Sequence, residues 1–318
     1  MASRSMVFHI IIAVLVLGTI FSASISVAKQ RTMPIGTGGK TGNYYAMGND
    51  IVDYCQEELK DTKINVLSSE GSVSNLLGLT NKKYSVGIVQ QDVLSFYSKN
   101  NPALINPRTV RVISALHMET VYLLIPKNYS PNTGGSWWEK AKALLDDDNT
   151  KPISFESLRG ATVSSWGGSV ISARALQYFL GVDFNIVDVP PGKRTNINTP
   201  IILVGGQPYP PVENLLKTGK FMLVSLDADT VKAKQPFYIK TSVSYNINGK
   251  ALTVTTVGVR ALMVAKVYRS KKRNAPIDSL ANCIQDNLAD LADDPDTNPN
   301  WENVYLLNQQ PKAMFGAQ

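Results

Sequence analysis

The chain has 318 residues, 44% of them hydrophobic and 18% charged, with a formal charge of +7. Those proportions exclude a disordered or low-complexity chain and leave room for two core-bearing lobes. Lysine and arginine are scattered, and no basic stripe alternates with aromatics, so nucleic acid is not an expected partner.

Taken in chain order, residues 1–28 read as a signal peptide. Arg4 supplies the positive start, "HIIIAVLVLGTIF" the apolar run, and Ser26 and Ala28 the small residues before a cleavage site. The run is shorter than the ~20 residues of a spanning helix. No cysteine stands at the cleavage site for a lipid anchor. An exported, soluble mature protein carrying a charge of +6 is therefore expected.

After the leader, strand-like and helix-like segments alternate, which points to α/β architecture. "RTMPIGTG" is a short strand entering a glycine loop, and "YYAMGNDIVDYCQEELK" has helical spacing. "TKINVLSS" is a second strand. "GSVSNLLGLTNKKY" opens a helix with Ser72 or a neighbour as candidate N-cap. "SVGIVQQDV" is a third strand followed by polar groups, and "VRVISALHMETVYLLIP" is a long apolar segment. A second lobe begins near Thr120, with "NYSPNTGGSWWEKAKALLDDDNTKP" as a loop-rich insertion. "ATVSSWGGSVISARALQYFLGV" repeats the order strand, small-residue loop, helix. "FNIVDVP", "PIILVGG" and "KFMLVSL" are strands, and "ALTVTTVGVRALMVAKVYR" is long enough to cross back to the first lobe. "YRSKKRNAP" reads as a solvated loop, and "IDSLANCIQDNLADLADD" as a helical tail packed on lobe one. Cys55 and Cys283 leave two alternatives open, one disulfide or two buried free thiols.

Gly39-Lys40-Thr41 imitates a nucleotide loop. A P-loop, however, needs glycine where Pro34 stands, and a dinucleotide fingerprint needs it at Thr41. What survives is physical. Glycines let a backbone approach a ligand, and the start of the next helix offers unpaired N–H groups to an anion. The same arrangement recurs at "SSEGSVSN" and "SSWGGSVIS", so three loops are expected to converge on one cleft.

Catalysis lacks an apparatus. His9 belongs to the leader, and His117 sits in an apolar run as a packed residue. No G-x-S-x-G elbow or zinc-ligand spacing occurs, and Asp146 to Asp148 lack the order of a calcium loop. No enzyme activity, metal or cofactor is expected.

"IGTGGKTGNYYAMGNDI", "SSEGSVSNLLGLTNKKYSVGIVQQDV" and "VRVISALHMETVYLLIP", in this order, resemble the TAXI family of extracytoplasmic receptors for TRAP-type transporters. The match runs more loosely through "SSWGGSVISARALQYFLGV", "VGGQPYPPVENLL" and "VGVRALMVAK". The resemblance implies a type II periplasmic-binding-protein fold, two α/β lobes joined by crossover strands with the ligand cleft between them. Lobe one is then 29–119 plus 255–318, and lobe two is 120–254. It also implies a periplasmic receptor that takes an anionic or zwitterionic small solute, an amino acid or dicarboxylate, to TRAP-type permease subunits. A sensor or scaffold of the same fold, signalling to a membrane partner, is the alternative. Thr41, Gly42 and Tyr44 would line the cleft from the first loop, Ser72 and Asn75 from the second, and Gln90 and Asp92 from the third strand. Ser169 and Ser172 would do so from lobe two, with Arg174 placed to pair with a ligand carboxylate. Two segments depart from the family, "NINTPIILVGGQPYP" and "TSVSYNINGKALTVTT".

Overall fold

The computed structural model describes residues 30–103, 105–106, 108–129 and 152–309. The leader with His9, the insertion at 130–151 and Asp146 to Asp148 lie outside them.

Ten strands are described: β1 Arg31–Gly36, β2 Thr62–Leu67, β3 Val86–Gln90, β4 Val110–Pro126, β5 Thr162–Ser165, β6 Asn185–Asp188, β7 Ile201–Gly205, β8 Phe221–Leu223, β9 Ile239–Ile247 and β10 Lys250–Lys266. They form one sheet in the order β2-β1-β3-β10-β4-β7-β5-β6, with β8 on β4 and β9 on β10. Nine helices are described: α1 Asn43–Cys55, α2 Ser72–Thr80, α3 Gln91–Asn100, α4 Ser169–Leu180, α5 Pro210–Lys217, α6 Ala228–Lys234, α7 Lys271–Asp286, α8 Leu288–Asp293 and α9 Asn300–Gln309.

The two 17-residue strands organise everything else. The later part of β10 pairs antiparallel with β3 and with the early part of β4. Its early part pairs with β9, while the later part of β4 pairs with β7 and β8. Both strands thus pass between two halves of the sheet, side by side where Gly258 faces Thr120. Helices cover both faces there, so 257–265 of β10 is buried at every position, and apart from Arg260 it reads as an apolar run rather than an alternation. Separate cores form in the halves. In the first, Ile35, Met47 and Ile51 pack with Met263 and Trp301, and in the second, Val163 and Leu176 pack with Val204 and Tyr238. The fold is therefore two α/β lobes joined by crossover strands.

The N-cap of α2 is Gly71, the neighbour of Ser72, at φ 91°, a conformation that a serine would adopt only with strain. The polar residues after β3 form α3, with Val93 as its buried apolar anchor. "YRSKKRNAP" is not a loop beyond Ser270. The chain is helical from Lys271, because Ile277, Leu280, Cys283 and Ile284 draw one face of α7 onto the first core. The tail is broken into α7, α8 and α9. Cys55, at the end of α1, and Cys283 are both fully buried and joined as a disulfide.

Gly78 of α2 faces the ring of Tyr84, and a Cβ there would overlap it. Tyr84 is 1% exposed and has no room to swing out. Gly78→Ala gains about 1 kcal/mol of helix propensity, while overpacking at such a site costs about 1–3 kcal/mol. A net loss of about 2 kcal/mol is expected, given how little that ring can yield, read as a lower urea midpoint at unchanged m.

Candidate functional site

The first loop leaves β1 at Gly36 and reaches α1 through Thr37–Gly42. Thr37 is buried, and its N–H and hydroxyl both donate to the Leu67 carbonyl at the end of β2. Asn75 ties this loop to the second. Its amide donates to the carbonyls of Thr37 (2.6 Å) and Ile88 (2.7 Å), and its Oδ1 accepts from the Ser69 hydroxyl. Ser72 accepts from the Gln90 N–H at 3.1 Å, which fixes α2 against the end of β3. On the other half, the Ser169 hydroxyl accepts from the Val204 N–H at 2.9 Å, fixing α4 against β7. The Ser172 hydroxyl donates to Gln90 Oε1 at 2.6 Å and so bridges α4 to β3.

These ties bring the starts of α1, α2 and α4 around one cavity of about 720 Å³. None of the three helices has a side-chain cap. The first turns of α1 and α2 therefore present backbone N–H groups without an intrahelical partner, whereas in α4 those of Ser169 and Val170 donate to the carbonyls of Trp166 and Gly167, leaving chiefly the positive end of the helix dipole. Thr41, Gly42, Tyr44, Ser72, Gln90 and Ser169 line the cavity. Asn75, Asp92 and Ser172 are fully buried behind the wall, as ties rather than lining. Arg174 is exposed and lines a different groove, with Phe96, Asn100 and Tyr178 beside α3 and α4. It does not meet the other nine.

Lining residues that sequence reasoning missed are Glu119, Gly205 to Pro211 and Asn298 to Asn300. A signal for the second group existed, since the glycine pair closing an apolar strand precedes Pro210 at the first position of α5. Glu119 is the lone carboxylate in the apolar run of β4. Asn298 and Asn300 carried no signal, because only tertiary packing brings the start of α9 to Asn43, whose Oδ1 accepts from the Asn298 amide at 3.2 Å.

Around Glu119 the polar groups are sparsely satisfied. Among the described residues, both ring nitrogens of the fully buried His117 and the hydroxyl of Tyr44 find no hydrogen-bond partner. His117 Nε2 lies 3.6 Å from a Glu119 carboxylate oxygen, and the Tyr44 ring stands edge-on to the imidazole at 5.9 Å. Burial, then the Glu119 charge, raises the Tyr44 hydroxyl well above the usual phenol range. Asp92, in the first turn of α3, accepts from the Val93 N–H (2.8 Å) and the Tyr238 hydroxyl (3.3 Å). Burial pushes it up to about 7, and Glu119 adds to the rise. Arg260 is buried without a carboxylate partner, donates to the Leu116 carbonyl, and is lowered to about 10 by burial. Among the described residues, no group of three His, Cys, Asp or Glu could hold a metal ion, and no helix is long and apolar enough to cross a membrane.

One sheet in two lobes, with crossover strands and a cavity at the strand ends, is the arrangement of a type II periplasmic-binding fold. A family model described as the NMT1-like family matches residues 35–135, a span that includes the first two cavity loops and Glu119. A protein of Bordetella bronchiseptica RB50 is 12% identical, with a TM-score of 0.47, covering 86% of this chain and 79% of that one. The GluR0 ligand-binding core in complex with L-glutamate is 10% identical, with a TM-score of 0.44, covering 82% and 95%. A histidine kinase sensor domain with similarity to periplasmic binding proteins is 8% identical, with a TM-score of 0.46, covering 87% and 96%.

Proposed function

We propose that the protein is a non-catalytic extracytoplasmic solute receptor of the TAXI type. It captures a small organic anion, an amino acid or dicarboxylate, and delivers it to a TRAP-type permease. The observation that carries this reading is the convergence of three uncapped helix starts, from both halves of the sheet, on one cavity. Such starts attract a carboxylate without a cationic side chain. In this reading residues 1–28 are removed on export, lobe one is 29–119 with 255–318, and lobe two is 120–254. Thr41, Gly42, Tyr44, Ser72, Gln90 and Ser169 contact the solute, while Asn75, Asp92 and Ser172 hold them in position. Closure of the lobes on the solute creates the surface that the permease reads.

A thermal-shift screen of the ligand-stripped protein with amino acids, dicarboxylates and inorganic anions tests the reading. A true ligand at 100 times its dissociation constant should add about 2.7 kcal/mol of stability. Silence across a broad panel would remove the receptor reading.

A further inference from the structure

The cavity wall is more apolar than polar and almost uncharged. Among the described residues that line it, Glu119 is the one carboxylate, and there is neither lysine nor arginine. The Glu119 side chain is 12% exposed and, among the described residues, has no ion pair with a lysine or arginine. The basic group nearest to it is His117, whose ring nitrogens make no hydrogen bond. The one arginine buried in this region, Arg260, spends its guanidinium on the Leu116 carbonyl. Tyr44, 8% exposed, brings a hydroxyl with no partner to the same wall.

A carboxylate at low exposure is costly unless a cation or several donors meet it. Three helix starts favour negative charge at one part of the cavity, while Glu119 disfavours it at another. A dicarboxylate would satisfy the first and be repelled by the second. A molecule carrying both a carboxylate and an ammonium group would satisfy both, with the ammonium donating to Glu119 and to the orphaned Tyr44 oxygen.

We propose that Glu119 selects a ligand bearing an ammonium group, so that the cavity takes zwitterionic amino compounds and rejects their deaminated analogues. This rests on the receptor reading and narrows its solute class.

Matched pairs isolate the ammonium: L-glutamate against glutarate, L-leucine against 4-methylpentanoate, and L-alanine against propionate. Calorimetric titration of the protein, stripped of ligand by unfolding and refolding, is expected to give binding for at least one amino member. Its deaminated partner should bind about 100-fold more weakly or not at all. Glu119→Gln should weaken the amino member by about 100-fold and erase the preference. Glu119→Asp should retain part of it, and circular dichroism should be unchanged. A deaminated partner that binds the wild type equally well would overturn the inference, with Glu119 then balanced from within by His117, and would leave the receptor reading standing. A Glu119→Gln protein that keeps the preference would overturn it too. If Glu119→Gln does not fold, the wild-type pairs decide alone. If no member of any pair binds, this inference falls, and the broad thermal-shift panel alone decides the receptor reading.

Discussion

Cys55→Ala/Cys283→Ala is expected to lower the unfolding free energy by about 5 kcal/mol. The bond closes a loop across a sequence separation of 228. Chain-entropy estimates for loops of 100 residues or more reach about 5 kcal/mol, at the upper end of the observed range. That is a third or more of the ~5–15 kcal/mol that holds a typical domain together. Alanine is the right probe because both sulfurs are fully buried, so serine would add an unsatisfied hydroxyl. Urea unfolding of the oxidised wild type against the double variant measures the effect. A difference below 1 kcal/mol would show that the denatured chain is already held compact without the bond.

The second large effect is set by pH and by Asp92. Its native carboxyl is pushed up to about 7 from an ordinary value of 3.8. Between about pH 4 and pH 7 the native protein therefore keeps a proton that the unfolded chain has lost, and stability falls as pH rises through that window. Three pH units of such a shift amount to something on the order of 4 kcal/mol, flat above pH 7 and absent below pH 4. Asp92→Asn removes the titration. Its amide oxygen can accept from the Val93 N–H, and its NH₂ can donate to Tyr238. Unfolding measured from pH 4 to pH 8 should show the variant nearly equal to wild type at the acid end and recovering most of the loss at pH 8. Equal slopes for the two proteins would mean that the buried carboxyl is ionised throughout. Burial outweighs the helix start here, which on its own would favour the charged form.

The alternation of elements was readable in the chain because each early strand is short, apolar and followed by glycine or serine, as at Gly36, Gly71 and Gly168. The same local signal identified the three loops that meet at the cavity. Asn75 and Ser172 were recognised as polar residues near those loops, but their burial behind the wall depends on β3 and α4 meeting, which no local pattern encodes. Arg174 was misleading for a helical reason. It lies two residues beyond Ser172, on the opposite side of α4, so when Ser172 turns inward Arg174 turns to solvent. β9 was legible in principle. Asn248 and Gly249, both at positive φ, form the two-residue turn of the β9–β10 hairpin. α3 was hidden because it buries only Asp92 and Val93 fully and is polar on balance. Glu119 was passed over because in sequence it is one acid in a strand, and its importance comes from the absence of cations around it.

The passage of β4 and β10 between the halves also sets an order of assembly. The second core draws on residues from Val121 to Val259, one contiguous stretch that is complete when β10 is partly made. The first core begins with Met33 but still lacks Met263, Leu280, Trp301 and Val304 at that point. A chain emerging from its N-terminus can therefore close its middle while its beginning waits, with β1 and β3 short of their neighbour β10. The half that starts first finishes last, and the sulfur of Cys55 meets that of Cys283 only once the chain has been delivered through α7.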